Sequence, residues 1–123
     1  MNKIDCRELS LNEIINLFNK VNYCRLGVID ENKPYIIPMW FSYRFNKNSV
    51  KFFLKSRKIG MKVDCIKKNI NVVLEFDRNI GDAVDSVVAR GKIKLINNVC
   101  DTDELILEIT SSNISGRRNF IGS

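Results

Sequence analysis

The residues with most chemical potential in this chain are a hydroxyl and a set of cations, Lys55, Ser56, Arg57 and Lys58 followed by Lys62. They lie where an apolar strand pattern gives way to a helical one. Ser56 can donate a hydrogen bond, and Arg57 can make a bidentate contact with an oxyanion. Lys62 falls in the first turn of the expected helix, where unpaired backbone N–H groups and the helix dipole favour an anion. Lys58 reads better as a solvated loop residue. The chain has no histidine, which removes Ser-His and Cys-His nucleophile pairs, histidine metal sites and histidine general bases together. Cys6, Cys24, Cys65 and Cys100 lie far apart with no Cys-x-x-Cys spacing, so no zinc knuckle or thioredoxin-type motif can form locally. They read as small apolar fillers; a disulfide pair is the alternative, disfavoured in a reducing compartment.

The elements that must position these groups fit in one unit, because 123 residues can bury one core but not two. One domain over 1–123 is expected. Hydrophobic residues at 45% and charged residues at 28% match an ordinary globular composition. No apolar run approaches the roughly 20 residues of a membrane helix, and the acidic N-terminus lacks an apolar signal core. A cytoplasmic protein with no membrane partner is the expectation. The net charge of +6 raises the question of nucleic acid. Its cations are spread along the chain, however, and adjacent strand residues such as Phe52 and Phe53 point to opposite faces, so a stacking platform is not expected.

Ser10 and Glu13 form a capping-box spacing before Leu11, Ile14, Ile15, Phe18 and Val21, which predicts a helix over 11–21. Residues 24–29 and 34–45 read as strands joined by the Asp30-Glu31-Asn32-Lys33 turn, with an irregularity or an edge at Pro38. Strands follow at 50–54, 71–76 and 83–96, and a short helix begins near Met61 and stops at Asn69. Gly91 marks a bulge or sharp bend in the 83–96 strand. Residues 103–110 could be helix or strand; the alternation of Leu105, Leu107 and Ile109 favours strand, with a turn at 114–118.

This order of elements resembles the FMN-binding split-barrel flavoproteins, the group of pyridoxamine-5'-phosphate-oxidase-like and nitroimidazole-reductase-like proteins. Leu26-Gly27-Val28-Ile29-Asp30 with Pro34-Tyr35 is similar to the family's opening hairpin, and Pro38-Met39-Trp40-Phe41 to its second strand. Ser56 to Lys62 is similar to its phosphate loop, and Ser115-Gly116-Arg117 to its terminal turn. The resemblance implies a mainly β fold: a six-stranded antiparallel Greek-key split barrel with an N-terminal helix and a short helix after the third strand. It also implies FMN, its phosphate held by Ser56 and Lys62 with Arg57, Lys55 and Met61 beside it. The flavin ring would lie along Pro38, Met39 and Trp40, with Ser86 near it. For Trp40, a core or dimer-interface role weighs equally.

The same resemblance implies a homodimer with the flavin at the subunit interface. Its expected activity is an FMN-dependent oxidoreductase passing electrons from transiently bound NAD(P)H to a small acceptor, a nitro-compound or quinone. The alternative is a non-catalytic flavin or haem carrier or sensor. Lys55 stands where nitroimidazole-reductase-like members often carry histidine, and Met61 where the oxidases have arginine. The sequence ends near Arg117 and Arg118, without the oxidases' longer tail, so pyridoxamine phosphate oxidation itself is not expected. No catalytic side chain and no metal ligand is assigned.

Overall fold

In the computed structural model, which describes residues 6–97, 100 and 103–120, the alternating sequence patterns become one antiparallel sheet packed against two helices. The order is β1 (Cys6–Glu8), α1 (Leu11–Lys20), β2 (Tyr23–Asp30), β3 (Lys33–Trp40), β4 (Ser42–Asn46), β5 (Ser49–Arg57), α2 (Met61–Lys68), β6 (Asn71–Asn79), β7 (Ala83–Asn97) and β8 (Glu104–Phe120). Strands neighbour one another as β3-β2-β6-β7-β8-β5-β4, with β1 paired to β8. The sheet does not close, and its split lies between the edge strands β3 and β4. This is the mainly β split-barrel fold that the sequence implied, with eight strands in place of six.

The two additional strands have physical causes. β1 forms because Cys6, Arg7 and Glu8 pair with Asn119, Arg118 and Arg117, so the expected turn at 114–118 is instead the far end of a long β8. The expected strand over 34–45 breaks at Phe41, and not at Pro38. Pro38 sits opposite Arg25 on an edge strand, where a missing N–H costs no ladder bond. Phe41 turns inward, its ring 4.9 Å from that of Phe76 and 6.4 Å from that of Phe18.

Period-2 burial fills the interior. Cys24, Leu26 and Val28 of β2, Phe52 and Leu54 of β5, Leu74 and Phe76 of β6, Val87 and Ala89 of β7 and Leu107 and Ile109 of β8 are all buried. Each large apolar side chain so buried contributes about 1.5–3 kcal/mol. From α1, Leu17 and Phe18 enter the same core, and the Phe18 ring lies 4.8 Å from Phe76 and 5.4 Å from Phe52. The capping box is present, with Ser10 Oγ accepting from the Glu13 N–H and Glu13 accepting from the Ser10 N–H.

Gly91 marks the expected irregularity, a register shift between Arg90 and Lys92. A Cβ there would stand 2.4 Å from the Thr110 carbonyl oxygen, so β7 and β8 approach closely only because residue 91 is glycine. Of the four cysteines, Cys24 and Cys65 are the buried fillers expected; Cys6 and Cys100 are exposed, and none of the four is in a disulfide. Burial pushes the Cys24 thiol up to about 12, which keeps it protonated and inert. Among the described residues no helix is long and apolar enough to cross a membrane.

Candidate functional site

The basic segment lies at the end of β5 and the start of α2. β5 continues through Arg57, so Lys55, Ser56 and Arg57 alternate across a strand. Ser56 faces inward and is 6% exposed, while Lys55 and Arg57 face outward. Residues 58–60 then bend the chain into α2. Gly60 caps that helix with φ +148° and ψ 168°, a conformation in which an L side chain is strained, and no side chain caps the helix. The first intrahelical bond runs from the Asp64 N–H to the Gly60 carbonyl at 3.2 Å. The N–H groups of residues 61–63 therefore have no partner within the helix.

Lys62, in this first turn, shares one cavity of about 710 Å³ with Lys55, Ser56, Arg57, Pro38, Met39 and Trp40. The cavity lies at the split, walled by β3 on one side and β4 and β5 on the other, and its size is in the range of small-molecule and cofactor sites. Most of the residues that the sequence assigned to one ligand are thus in one place, though separate strands and a helix supply them. Met61 is the first residue of α2, directly before Lys62. Trp40 is 71% exposed; it is not a core side chain, and its ring stands edge-on to Tyr23 at 6.3 Å.

Two residues stand apart from the rest. Ser86 is not among the residues that line this cavity; it lies on the central strand β7, between Asp77 of β6 and Arg117 of β8. The Ser56 hydroxyl, expected to point at an anion, donates to the Arg57 carbonyl at 3.0 Å; its rotation about Cα–Cβ is what would redirect it. Sequence reasoning also missed Ile37, Phe41, Ser42, Phe53 and Glu104, which complete the cavity wall. Phe53 was within reach, two residues before Lys55 and on the same strand face. Glu104 was not, since it enters through its pairing with Arg57 across β5 and β8.

The donor set fits the phosphate end of a flavin: Lys55, Arg57, the Ser56 hydroxyl and Lys62, from the first turn of a helix with no side-chain cap, all line the cavity. The exposed Trp40 and the Pro38–Met39 backbone of an edge strand border the rest, giving a flat apolar wall and hydrogen-bonding groups that no neighbouring strand uses. No histidine or cysteine lines this cavity among the described residues.

Comparison with known proteins agrees with this fold. No curated protein sequence matches the chain. Among solved structures, the FAD-binding protein of Mycobacterium smegmatis superposes with a TM-score of 0.76 at 20% identity, covering 94% of this chain and 100% of its own. A FAD-binding protein of Mesorhizobium loti gives 0.75 at 18% identity, covering 92% and 97%. A protein of Bacteroides thetaiotaomicron with a provisional 5-nitroimidazole antibiotic resistance assignment gives 0.72 at 15% identity, covering 96% and 94%. At these identities the likeness is one of fold. The family model described as pyridoxamine 5'-phosphate oxidase matches residues 10–119. A match over nearly the whole described chain places this protein in the pyridoxamine 5'-phosphate oxidase family.

Proposed function

We propose that this chain is an FMN-dependent oxidoreductase that holds its cofactor in the cavity between β3 and β5 and passes electrons from a reduced nicotinamide to a small nitro or quinone acceptor. The observation that carries the reading is the convergence of Lys62, Arg57, Ser56 and the uncapped start of α2 on the cavity that Trp40 borders. The flavin-binding names of structural relatives and the nitroimidazole assignment of one of them support it. When bound, the flavin supplies the hydride and electron chemistry. The chain's own residues bind and orient. Lys62 and the α2 N–H groups neutralise the phosphate, Arg57 closes its outer side, and Pro38, Met39 and Trp40 shield one ring face from water.

A second copy of the chain is the proposed partner. On the outer face of the sheet, Ile36 of β3 lies opposite Gly27 of β2, which lies opposite Val73 of β6. These residues, with Ile29, Pro34, Arg90 and Lys92, line a largely apolar hollow of about 740 Å³. Pro38 and Trp40 lie on the same β3 face as Ile36, so a protomer seated there would reach the rim of the flavin cavity. A carrier or sensor without turnover is the second reading, favoured by the absence of histidine and cysteine from the cavity wall.

The visible spectrum with and without added FMN tests the first step. Lys62→Ala is expected to weaken flavin retention by about 1.5–3 kcal/mol, the usual worth of a hydrogen bond to a charged group; unchanged affinity would put the phosphate elsewhere. Bleaching of the bound flavin by NADH or NADPH, followed by turnover on a nitroaromatic, separates the enzyme from the carrier.

A further inference from the structure

Cations that the sequence spreads along the chain come together on the outer face of one half of the sheet. Val50, Phe52 and Leu54 of β5 are buried, so Lys51, Phe53 and Lys55 point outward. Arg44 of β4 lies opposite Lys51, and Ser42 of β4 opposite Phe53. On the other side of β5, Glu108 of β8 lies opposite Phe53, and Lys94 of β7 lies opposite Glu108. Ser42, Phe53 and Lys55 also line the flavin cavity, so this cationic face begins at the cavity's rim. We infer that the electron donor is NADPH and not NADH, with its 2'-phosphate held by Arg44 and Lys51 on this face. The inference rests on the flavin reading above and names the reductant of the same site.

The position and the charge of these side chains each restrict the ligand. A reductant must put its nicotinamide in the cavity, and the rest of the molecule must leave over the rim. Lys51 stands four residues before Lys55 on the same strand face, about 13 Å along β5, so an anion held there does not compete with the flavin phosphate. The Arg44 guanidinium lies over the Phe53 ring, 5.5 Å from its centroid. Stacking of this kind holds a guanidinium in place and leaves its N–H groups for an oxyanion. Among the described residues no carboxylate pairs with Arg44. Glu108 meets Lys51 at 3.5 Å, and β5 stands between that carboxylate and Arg44. A phosphate on the ribose 2'-oxygen is ordinarily met by an arginine, whereas the free 2'-hydroxyl of NADH calls for a carboxylate. Phe53 is the one aromatic side chain in these rows, too few for the run of stacked bases that a single-stranded nucleic acid needs.

Anaerobic reduction of the flavin-loaded protein, followed by loss of flavin absorbance, tests the inference. Wild type is expected to show a kcat/KM at least about tenfold higher for NADPH than for NADH, the scale of one charge-assisted contact. Adenosine 2',5'-bisphosphate is expected to compete with NADPH, and AMP to compete far less. Arg44→Gln, on the edge strand β4, is expected to raise KM for NADPH about tenfold and abolish the preference, with kcat maintained; flavin content and circular dichroism report that it folds. Equal use of the two nucleotides by wild type, or a preference that survives Arg44→Gln, overturns the inference and leaves the flavin site intact. Displacement of NADPH by a short oligonucleotide but not by the bisphosphate assigns the face to nucleic acid and also overturns it. A yellow protein that neither nucleotide reduces overturns the inference together with the nicotinamide step. A protein that binds no flavin removes the flavin reading itself, and the choice of reductant with it.

Discussion

Glu13 joins the first turn of α1 to the β1–β8 pair, where Arg7 lies opposite Arg118. Its carboxylate accepts from Arg7 at 2.7 and 2.9 Å and from the Ser10 N–H at 2.9 Å, and Arg118 stands 3.5 Å away. The Arg7 hydrogen bonds, then the Ser10 N–H, hold its pKa at about 2, well below the ordinary 4.5. A carboxylate whose folded pKa is depressed contributes stability that is present above its unfolded value and is lost as pH falls through the folded one. The chain should therefore lose stability between about pH 4.5 and 2 in a Glu13-dependent way. Denaturant melts across that range should show a shallower acid limb for Glu13→Gln than for wild type, and parallel limbs would show that the carboxylate is not coupled to folding. Ser10 and Glu13 were legible as a capping box because the motif is local. Arg7 and Arg118 were not, since they meet Glu13 only after β1 pairs with β8. Ser86 shows another limit: spacing along the chain does not say which strands will flank a residue, and Ser86 lies between Asp77 and Arg117 only once the register is fixed.

At the scale of elements, α2 depends on the one residue that starts it. Gly60 adopts a φ of +148° with no atom within 4 Å of where a Cβ would sit, so Gly60→Ala would meet backbone strain and no steric clash. Strain of this kind costs about 1–3 kcal/mol. The expected outcome is a lower melting temperature together with weaker flavin retention, because the strain is relieved most easily by turning the first α2 N–H groups away from the cavity. A variant as stable as wild type with full retention would show that the α2 start does not hold the phosphate. The Gly-x-Lys spacing made this helix start readable, just as alternation made β5 and β8 readable. The break at Phe41 had no such signal, because Tyr35 to Phe41 is apolar and aromatic throughout and Tyr43 and Phe45 continue the pattern past Ser42 and Arg44. The chain breaks there because β3 and β4 are opposite edges of the sheet, and Phe41 crosses the split between them with its N–H on the Asn22 carbonyl at 3.3 Å.

For the whole molecule, the open sheet poses a problem that one copy leaves unsolved. Its interior is filled, yet Ile36 is 64% and Trp40 71% exposed on the outer face of the edge strand β3. Aromatic and branched apolar side chains exposed together on a strand face mark an interaction surface more often than a solvated one. Charges flank the apolar residues: Arg25 bridges Glu75 and Asp77 on this face, and Arg90 lies opposite Val73. A twofold pairing places one patch against its own copy, so both signs on one face allow each protomer to complement the other. Desolvation, with Asp77 adding to it, already holds the Glu75 carboxyl above its ordinary pKa. Wild type is expected to run as a dimer in size-exclusion chromatography with light scattering. Ile36→Lys, which sets a cation opposite Gly27 and touches nothing in the core, should run as a monomer with an unchanged circular dichroism spectrum. If the cavity is completed by the second copy, the same variant should also lose flavin although every residue of its own phosphate site is intact. A variant that stays dimeric, or a wild type that is monomeric at micromolar concentration, would return the exposed β3 face to solvent and leave the flavin cavity to one chain alone.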